Sequence, residues 1–227
     1  MISFSKLLLN QHHFGDSLRY HPDVQGRTRG TTTEKGPIVV WNCTRTCNLN
    51  CKHCYAEATG AYGPGELSTA EARSFMDTLA AYKVPVLLFS GGEPLMRKDL
   101  FDLMEYGNQI GLRMVISTNG TLIDRDRAKR IKELGISYVG ISLDGLADVN
   151  DWFRGVSGAF DKAMEGFRNC REAGQKTGLR LTLSKTTSRE LPEIFDLIEE
   201  KRIQRVCFYH LVYSGRGSDI INEDLTH

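Results

Sequence analysis

From residue 37 onward, short apolar runs alternate with longer amphipathic stretches. Ile38-Val39-Val40-Trp41 reads as a buried strand, and similar runs recur at 84–89, 112–117, 138–143, 179–183 and 206–212. These predict six strands. Between them, apolar positions at helical spacing predict helices starting at Ser68 and over 99–110, 124–134, 160–173 and 191–201. Ser68 with Glu71 three residues on makes a capping box, and Gly135 and Gly174 stop two of the helices. One strand every 25 to 30 residues or so, each followed by a helix, predicts parallel βαβ units. The strands are short and mostly apolar, as expected where both faces of a sheet are covered. Two closures satisfy the pattern: a doubly wound open sheet and a partial (β/α)6 barrel. Residues 1–36 lack this alternation, and the polar run Arg27-Thr-Arg-Gly-Thr-Thr-Thr33 places this arm on the surface.

Composition narrows the class. With 41% hydrophobic and 25% charged residues, the 227-residue chain can bury a real core and suits one α/β barrel. A formal net charge of +1 gives no electrostatic case for nucleic acid as the main partner. No apolar run approaches the roughly 20 residues that span a bilayer. The opening MISFSKLLLN has a short leucine run and no small-residue cleavage pattern, so no signal peptide is expected. Clustered cysteines in such a chain read as metal-binding or redox-active, in a reducing, cytoplasmic compartment.

In parallel α/β folds, chemistry collects beyond the C-terminal ends of the strands. Five polar or glycine-rich turns fall there: the cysteine segment, Gly91-Gly92-Glu93-Pro94, Ser117-Thr-Asn119-Gly120, Ser142-Leu-Asp144-Gly145 and Tyr213-Ser-Gly-Arg-Gly217. They are predicted to share one rim. Cys47-x3-Cys51-x2-Cys54 supplies three thiolates for one centre. A 4Fe–4S cluster normally takes four, so three leave one iron open to a small molecule. Tetrahedral zinc is the alternative, with Cys43 or His53 as fourth ligand. A competing register, Cys43-x3-Cys47-x3-Cys51, leaves Cys54 unused; Cys43 is therefore expected to pack at the strand end. Cys170 and Cys207 read as small buried hydrophobes. No Ser/His/Asp triad, Walker loop, HExxH or Gly-x-Gly-x-x-Gly is recognisable.

Cys47-Asn-Leu-Asn-Cys51-Lys-His-Cys54-Tyr55, followed by Gly91-Gly92-Glu93-Pro94, resembles the radical S-adenosylmethionine (radical SAM) superfamily. The resemblance implies the partial barrel, a 4Fe–4S cluster on Cys47, Cys51 and Cys54, and S-adenosyl-L-methionine held on the open iron by its amino and carboxylate groups. One electron then cleaves the sulfonium and releases a 5'-deoxyadenosyl radical. It also implies that Gly91, Gly92 and Glu93 take the methionine amino group and that His53 lies against the adenine. Asn119, Ser142 and Asp144 would bind ribose hydroxyls, and Arg154 would pair with the methionine carboxylate. Plainer readings stand beside these: ordinary turns for the Asn-Gly and Asp-Gly pairs, a surface salt bridge for Arg154.

Segments 2–8, 15–20 and 41–47 are similar to the tetrapyrrole-modifying branch of that superfamily. This implies an enzyme of haem biosynthesis that removes acetate side chains from didecarboxysirohaem to give iron-coproporphyrin III, with reduced ferredoxin or flavodoxin as electron donor. Basic residues near the expected rim, Arg45, Lys52, Arg97, Lys98, Lys185 and Arg216, would meet the substrate's carboxylates. Haem d1 side-chain modification, peptide maturation and a non-catalytic iron–sulfur or zinc scaffold remain open. Members of the branch continue into a C-terminal cysteine-rich region with a second cluster. Here residues 222–225 read as the start of a further helix. The expected organisation is an arm over 1–36, the barrel over 37–217 and the beginning of a truncated C-terminal region over 218–227.

Overall fold

The computed structural model describes residues 37–61 and 65–225. The expected arm over 1–36, with its head segments, lies outside them. Six strands, β1 (Val39–Thr44), β2 (Leu87–Gly91), β3 (Met114–Thr118), β4 (Val139–Ser142), β5 (Thr177–Leu183) and β6 (Val206–His210), form one sheet in the order β1-β2-β3-β4-β5-β6. All five pairings are parallel. That order separates the two closures. A doubly wound sheet reverses its strand order at a switch point; this sheet never reverses, so successive right-handed crossovers carry the helices to one face. The result is the partial barrel, with β1 and β6 as its two edges.

The helices are α1 (Thr69–Ala81), α2 (Leu100–Gln109), α3 (Arg125–Glu133), α4 (Ala147–Arg154), α5 (Ala159–Glu172) and α6 (Leu191–Glu200). Ser68 and Glu71 form the expected capping box. Asp124 caps α3 through Arg127 N, and Gly135 follows at φ +73. α4 was not expected. Its sequence, ADVNDWFR, is largely polar, and only the i, i+4 pair Val149 and Phe153 and the left-handed Gly155 after it mark a helix. Residues 222–225, expected to open a helix, instead end one: Asn222 and Glu223 close the 3-10 segment Gly215–Glu223, and Asp224 after it is extended. Glu223 pins that segment back on the barrel, accepting from Thr186 Oγ1 at 2.6 Å. Among the described residues no helix is long and apolar enough to cross a membrane.

Alternation along the strands gives the sheet two unlike faces. Leu87, Phe89, Met114, Ile116, Val139, Ile141, Leu179 and Leu181 point outward and are buried under the helices against Met76, Leu103, Ile131 and Ile194. Each such side chain contributes roughly 1.5 to 3 kcal/mol by leaving water. The inward positions line a cavity of about 860 Å³. Only the outer face is therefore covered by helices, not both as the apolar runs suggested. Cys207 is accordingly corrected: it is half-buried on the cavity wall between Val206 and Phe208, which pack against the core. Cys170 is fully buried in α5, as expected.

Candidate functional site

The cysteine loop leaves β1 through a bulge. Strand pairing slips between Asn42 and Thr44, and the extra residue, Cys43, turns into the hydrophobic core, where it is 1% exposed. Burial pushes its thiol up to about 12. Cys43 thus packs in the core, as expected, and does not line the cavity. Cys47, Cys51 and Cys54 instead line the mouth of the cavity. Burial pushes the Cys47 thiol up to about 11 and raises that of Cys51, against which the Arg154 guanidinium works. Metal loading must therefore displace these protons.

Hydrogen bonds from three other segments hold the backbone of this loop. Cys47 N donates to Thr59 O at 2.7 Å, and Lys52 N to Phe153 O in α4 at 2.9 Å. Arg216, beyond β6, donates through Nε to Cys51 O (2.8 Å) and through Nη1 to Ala58 O (3.0 Å). The paired glycines after β2 are required by close backbone approach. A Cβ on Gly91 would lie 2.3 Å from Thr44 O, and one on Gly92 2.4 Å from Thr46 O. Both carbonyls are acceptors, of Gly92 N at 2.8 Å and Glu93 N at 2.9 Å. Gly92→Ala is expected to lower stability by about 1 to 3 kcal/mol, measured by denaturant unfolding, and to reduce iron retention because the displaced Arg45–Thr46 backbone leads directly into Cys47.

Of the eleven residues predicted for the site, nine line the cavity: Cys47, Cys51, Cys54, His53, Gly91, Gly92, Asn119, Ser142 and Arg154. Glu93 and Asp144 stand behind its wall, both fully buried. Glu93 accepts from Thr118 Oγ1 (2.7 Å), Asn119 N (2.7 Å) and Leu95 N (3.1 Å). Burial raises its carboxyl despite these donors. Asp144 accepts from Thr182 N (2.6 Å), pairs with Arg154 Nη2 and lies 3.4 Å from His53 Nε2. Each carboxylate holds a residue whose side chain reaches a cysteine sulfur: Glu93 through the Asn119 backbone N, Asp144 through the Arg154 guanidinium. Asn119 Nδ2 is 4.0 Å from Cys47 Sγ, and Arg154 Nη1 is 3.7 Å from Cys51 Sγ. His53 packs on Phe153 with ring centroids 4.7 Å apart, and burial lowers it to about 4 even beside Asp144, so the imidazole is neutral at pH 7.

The expected basic rim is largely committed elsewhere. Arg97 is buried, donates to Cys43 O and Leu67 O, and pairs with Asp99. Arg216 holds the cysteine loop, and Lys185 donates to Asn222 O at 2.7 Å. Lys52 lies over the Trp152 ring. Besides Arg154, the arginines on the cavity wall are Arg113, Arg180 and Arg205, which the sequence reading missed. Period-2 placement of Arg180 opposite the outward Leu179 and Leu181 was the available signal.

These residues fit a multi-iron cluster better than a single ion. Among the described residues no three His, Cys, Asp or Glu converge closely enough to hold one metal ion. Three thiols spread around one mouth suit a cluster in which different irons take different thiolates. Beside them, His53 Nδ1 and Arg154 Nε are buried with no hydrogen-bond partner among the described residues, as expected where a polar ligand completes a site.

A parallel partial barrel with three thiols and a glycine turn at its mouth defines a metallocofactor-binding α/β barrel. Residues 41–198 match the family model described as the radical SAM superfamily, and the chain belongs to that superfamily. Its members use a 4Fe–4S cluster and S-adenosylmethionine. The chain is 54% identical to the Fe-coproporphyrin III synthase of Methanosarcina barkeri, over 100% of this chain and 57% of that protein. It is 43% identical to the pre-heme d1 synthase of Dinoroseobacter shibae, over 95% of this chain and 52% of that protein. The chain thus spans about half the length of these curated relatives. The native anSMEcpe structure with bound AdoMet and Kp18Cys peptide shares the fold, with TM-score 0.69 and 22% identity over 83% of this chain and 55% of that one.

Proposed function

We propose that this chain is the cofactor-binding barrel of an enzyme that removes acetate side chains from didecarboxysirohaem, giving iron-coproporphyrin III. The observation that carries the reading is the 54% identity over the whole chain to a synthase named for that product. The cavity supports it, being about 860 Å³ and lined by the three thiols together with both apolar and cationic side chains.

When bound, the cluster and S-adenosylmethionine supply a 5'-deoxyadenosyl radical. Cys47, Cys51 and Cys54 hold the cluster. Gly91, Gly92, Asn119, Ser142, Arg154 and His53 form the cradle for S-adenosylmethionine. Glu93 and Asp144 serve that cradle from behind, by fixing Asn119 and Arg154. The neutral His53 offers a flat, uncharged surface suited to a purine. A reducing cytoplasm suits cysteines so near the mouth, and a reduced ferredoxin or flavodoxin is the electron donor.

The test belongs on the full-length protein, reduced under anaerobic conditions. Mass spectrometry of didecarboxysirohaem should show loss of its acetate groups together with formation of 5'-deoxyadenosine. Cofactor cleavage with a peptide, and never with a sirohaem derivative, would move the protein to the peptide-modifying branch.

A further inference from the structure

The cavity wall is chemically divided. Its β1–β3 side presents Ile38, Val40, Val86, Leu88 and Val115; the β4–β6 side presents Tyr138, Arg180, Arg205 and Tyr209. Arg180 lies within β5, and Arg205 immediately precedes β6. Among the described residues neither is paired with a carboxylate. Each is held instead by an aromatic ring: Arg180 Cζ lies 4.6 Å from the Tyr209 centroid and Arg205 Cζ 5.4 Å from that of Tyr138. Such stacking orients the planar fork and leaves its N–H edge available to an acid.

Two glycines make room for this arrangement. A Cβ on Gly140 would lie 2.7 Å from Arg180 Cδ, and one on Gly178 would lie 2.2 Å from Tyr138 Oη and 2.9 Å from Arg205 Cβ. Among the described residues the buried Tyr138 Oη has no hydrogen-bond partner. A buried hydroxyl is unfavourable unless something accepts its proton. Arg113, which immediately precedes β3, also lines the cavity; burial first, and then the nearby Arg205, lower its guanidinium. An anionic ligand relieves this like-charge crowding. Arg205 and Arg113 sit at the N-terminal ends of their strands, whereas the thiols follow the C-terminal end of β1. At about 3.3 Å per residue a five-residue strand separates the two levels by roughly 16 Å. A ligand touching both is extended, apolar along one face and acidic at the far edge.

We infer that Arg180, Arg205 and the Tyr138 hydroxyl form a carboxylate-binding wall that seats acid side arms of the substrate, with its apolar face against the β1–β3 wall. This rests on the proposed tetrapyrrole reading and deepens it, since it fixes which edge of the macrocycle points away from the thiol rim.

The test uses the full-length protein with its cluster reconstituted. Free-base coproporphyrin III and its tetramethyl ester are titrated in separately and followed by porphyrin fluorescence. The wild type should bind the acid more tightly than the ester. Arg180→Gln and Arg205→Gln, made singly, should each weaken acid binding about 10- to 100-fold and leave ester binding unchanged. Arg205→Lys should recover part of the loss, and unchanged cluster absorbance confirms that the variants fold. If both glutamine variants bind the acid as tightly as wild type, the carboxylate wall is overturned while the tetrapyrrole reading stands. If the wild type binds neither acid nor ester, the tetrapyrrole reading fails and the inference fails with it.

Discussion

A Cys51→Ala variant, reconstituted anaerobically, is expected to fold and to hold no cluster, whereas Cys43→Ala retains about four irons per chain. The loop around Cys51 is fastened by its backbone: Arg216 Nε reaches Cys51 O, and Lys52 N reaches Phe153 O. Loss of the thiol therefore removes a ligand without releasing the loop. Cys43, turned into the core by the β1 bulge, is expected to cost stability on the order of 1 kcal/mol and nothing in iron. Iron and sulfide analysis with visible absorption reads both variants. Iron lost from Cys43→Ala and kept by a Cys54→Ala variant would mean that the other cysteine register, which shares Cys51, holds the metal.

Asp144→Ala should be the most destabilising change at the site that leaves every cysteine in place. Asp144 is fully buried, pairs with the buried Arg154 and accepts from Thr182 N. Its removal strands a buried guanidinium, which costs about 3 to 5 kcal/mol. The double variant Asp144→Ala/Arg154→Met should recover much of that loss in denaturant unfolding, because no charge is then left unpaired. Equal losses in the single and double variants would show that packing, not charge, sets the role of Asp144. Arg154 also lies 3.7 Å from Cys51 Sγ, so loosened cluster binding should accompany the single variant.

Much of this architecture is legible along the chain because its cause is local. Alternation such as Leu87 to Phe89 and Met114 to Ile116 reports the outer face of each strand, and Gly135 and Gly174 end helices by adopting positive φ. The thiol spacing and the glycine turn are likewise short-range. What escaped depends on distant partners. Arg97 and Arg216 read as rim cations, yet their partners are carbonyls 54 and 165 residues away. Glu93 and Asp144 stand behind the cavity wall because Thr118 and Arg154 meet their carboxylates, a placement that no local pattern shows. Arg180 interrupts an apolar strand and looks like a surface residue until the sheet curves and makes that face a cavity. α4 hides because its apolar positions are few and its hold on the cysteine loop comes from backbone carbonyls, to which side-chain patterns are blind.

The central claim is that Cys47, Cys51 and Cys54 hold a cluster with one iron left open to S-adenosylmethionine. Electron paramagnetic resonance of the reduced, reconstituted protein with and without S-adenosylmethionine tests it most directly. The predicted result is a reduced 4Fe–4S signal whose g values shift when the cofactor is added, and which is absent from Cys51→Ala. A signal that S-adenosylmethionine leaves unchanged, or a protein that takes up one zinc ion in place of four irons, would contradict the account.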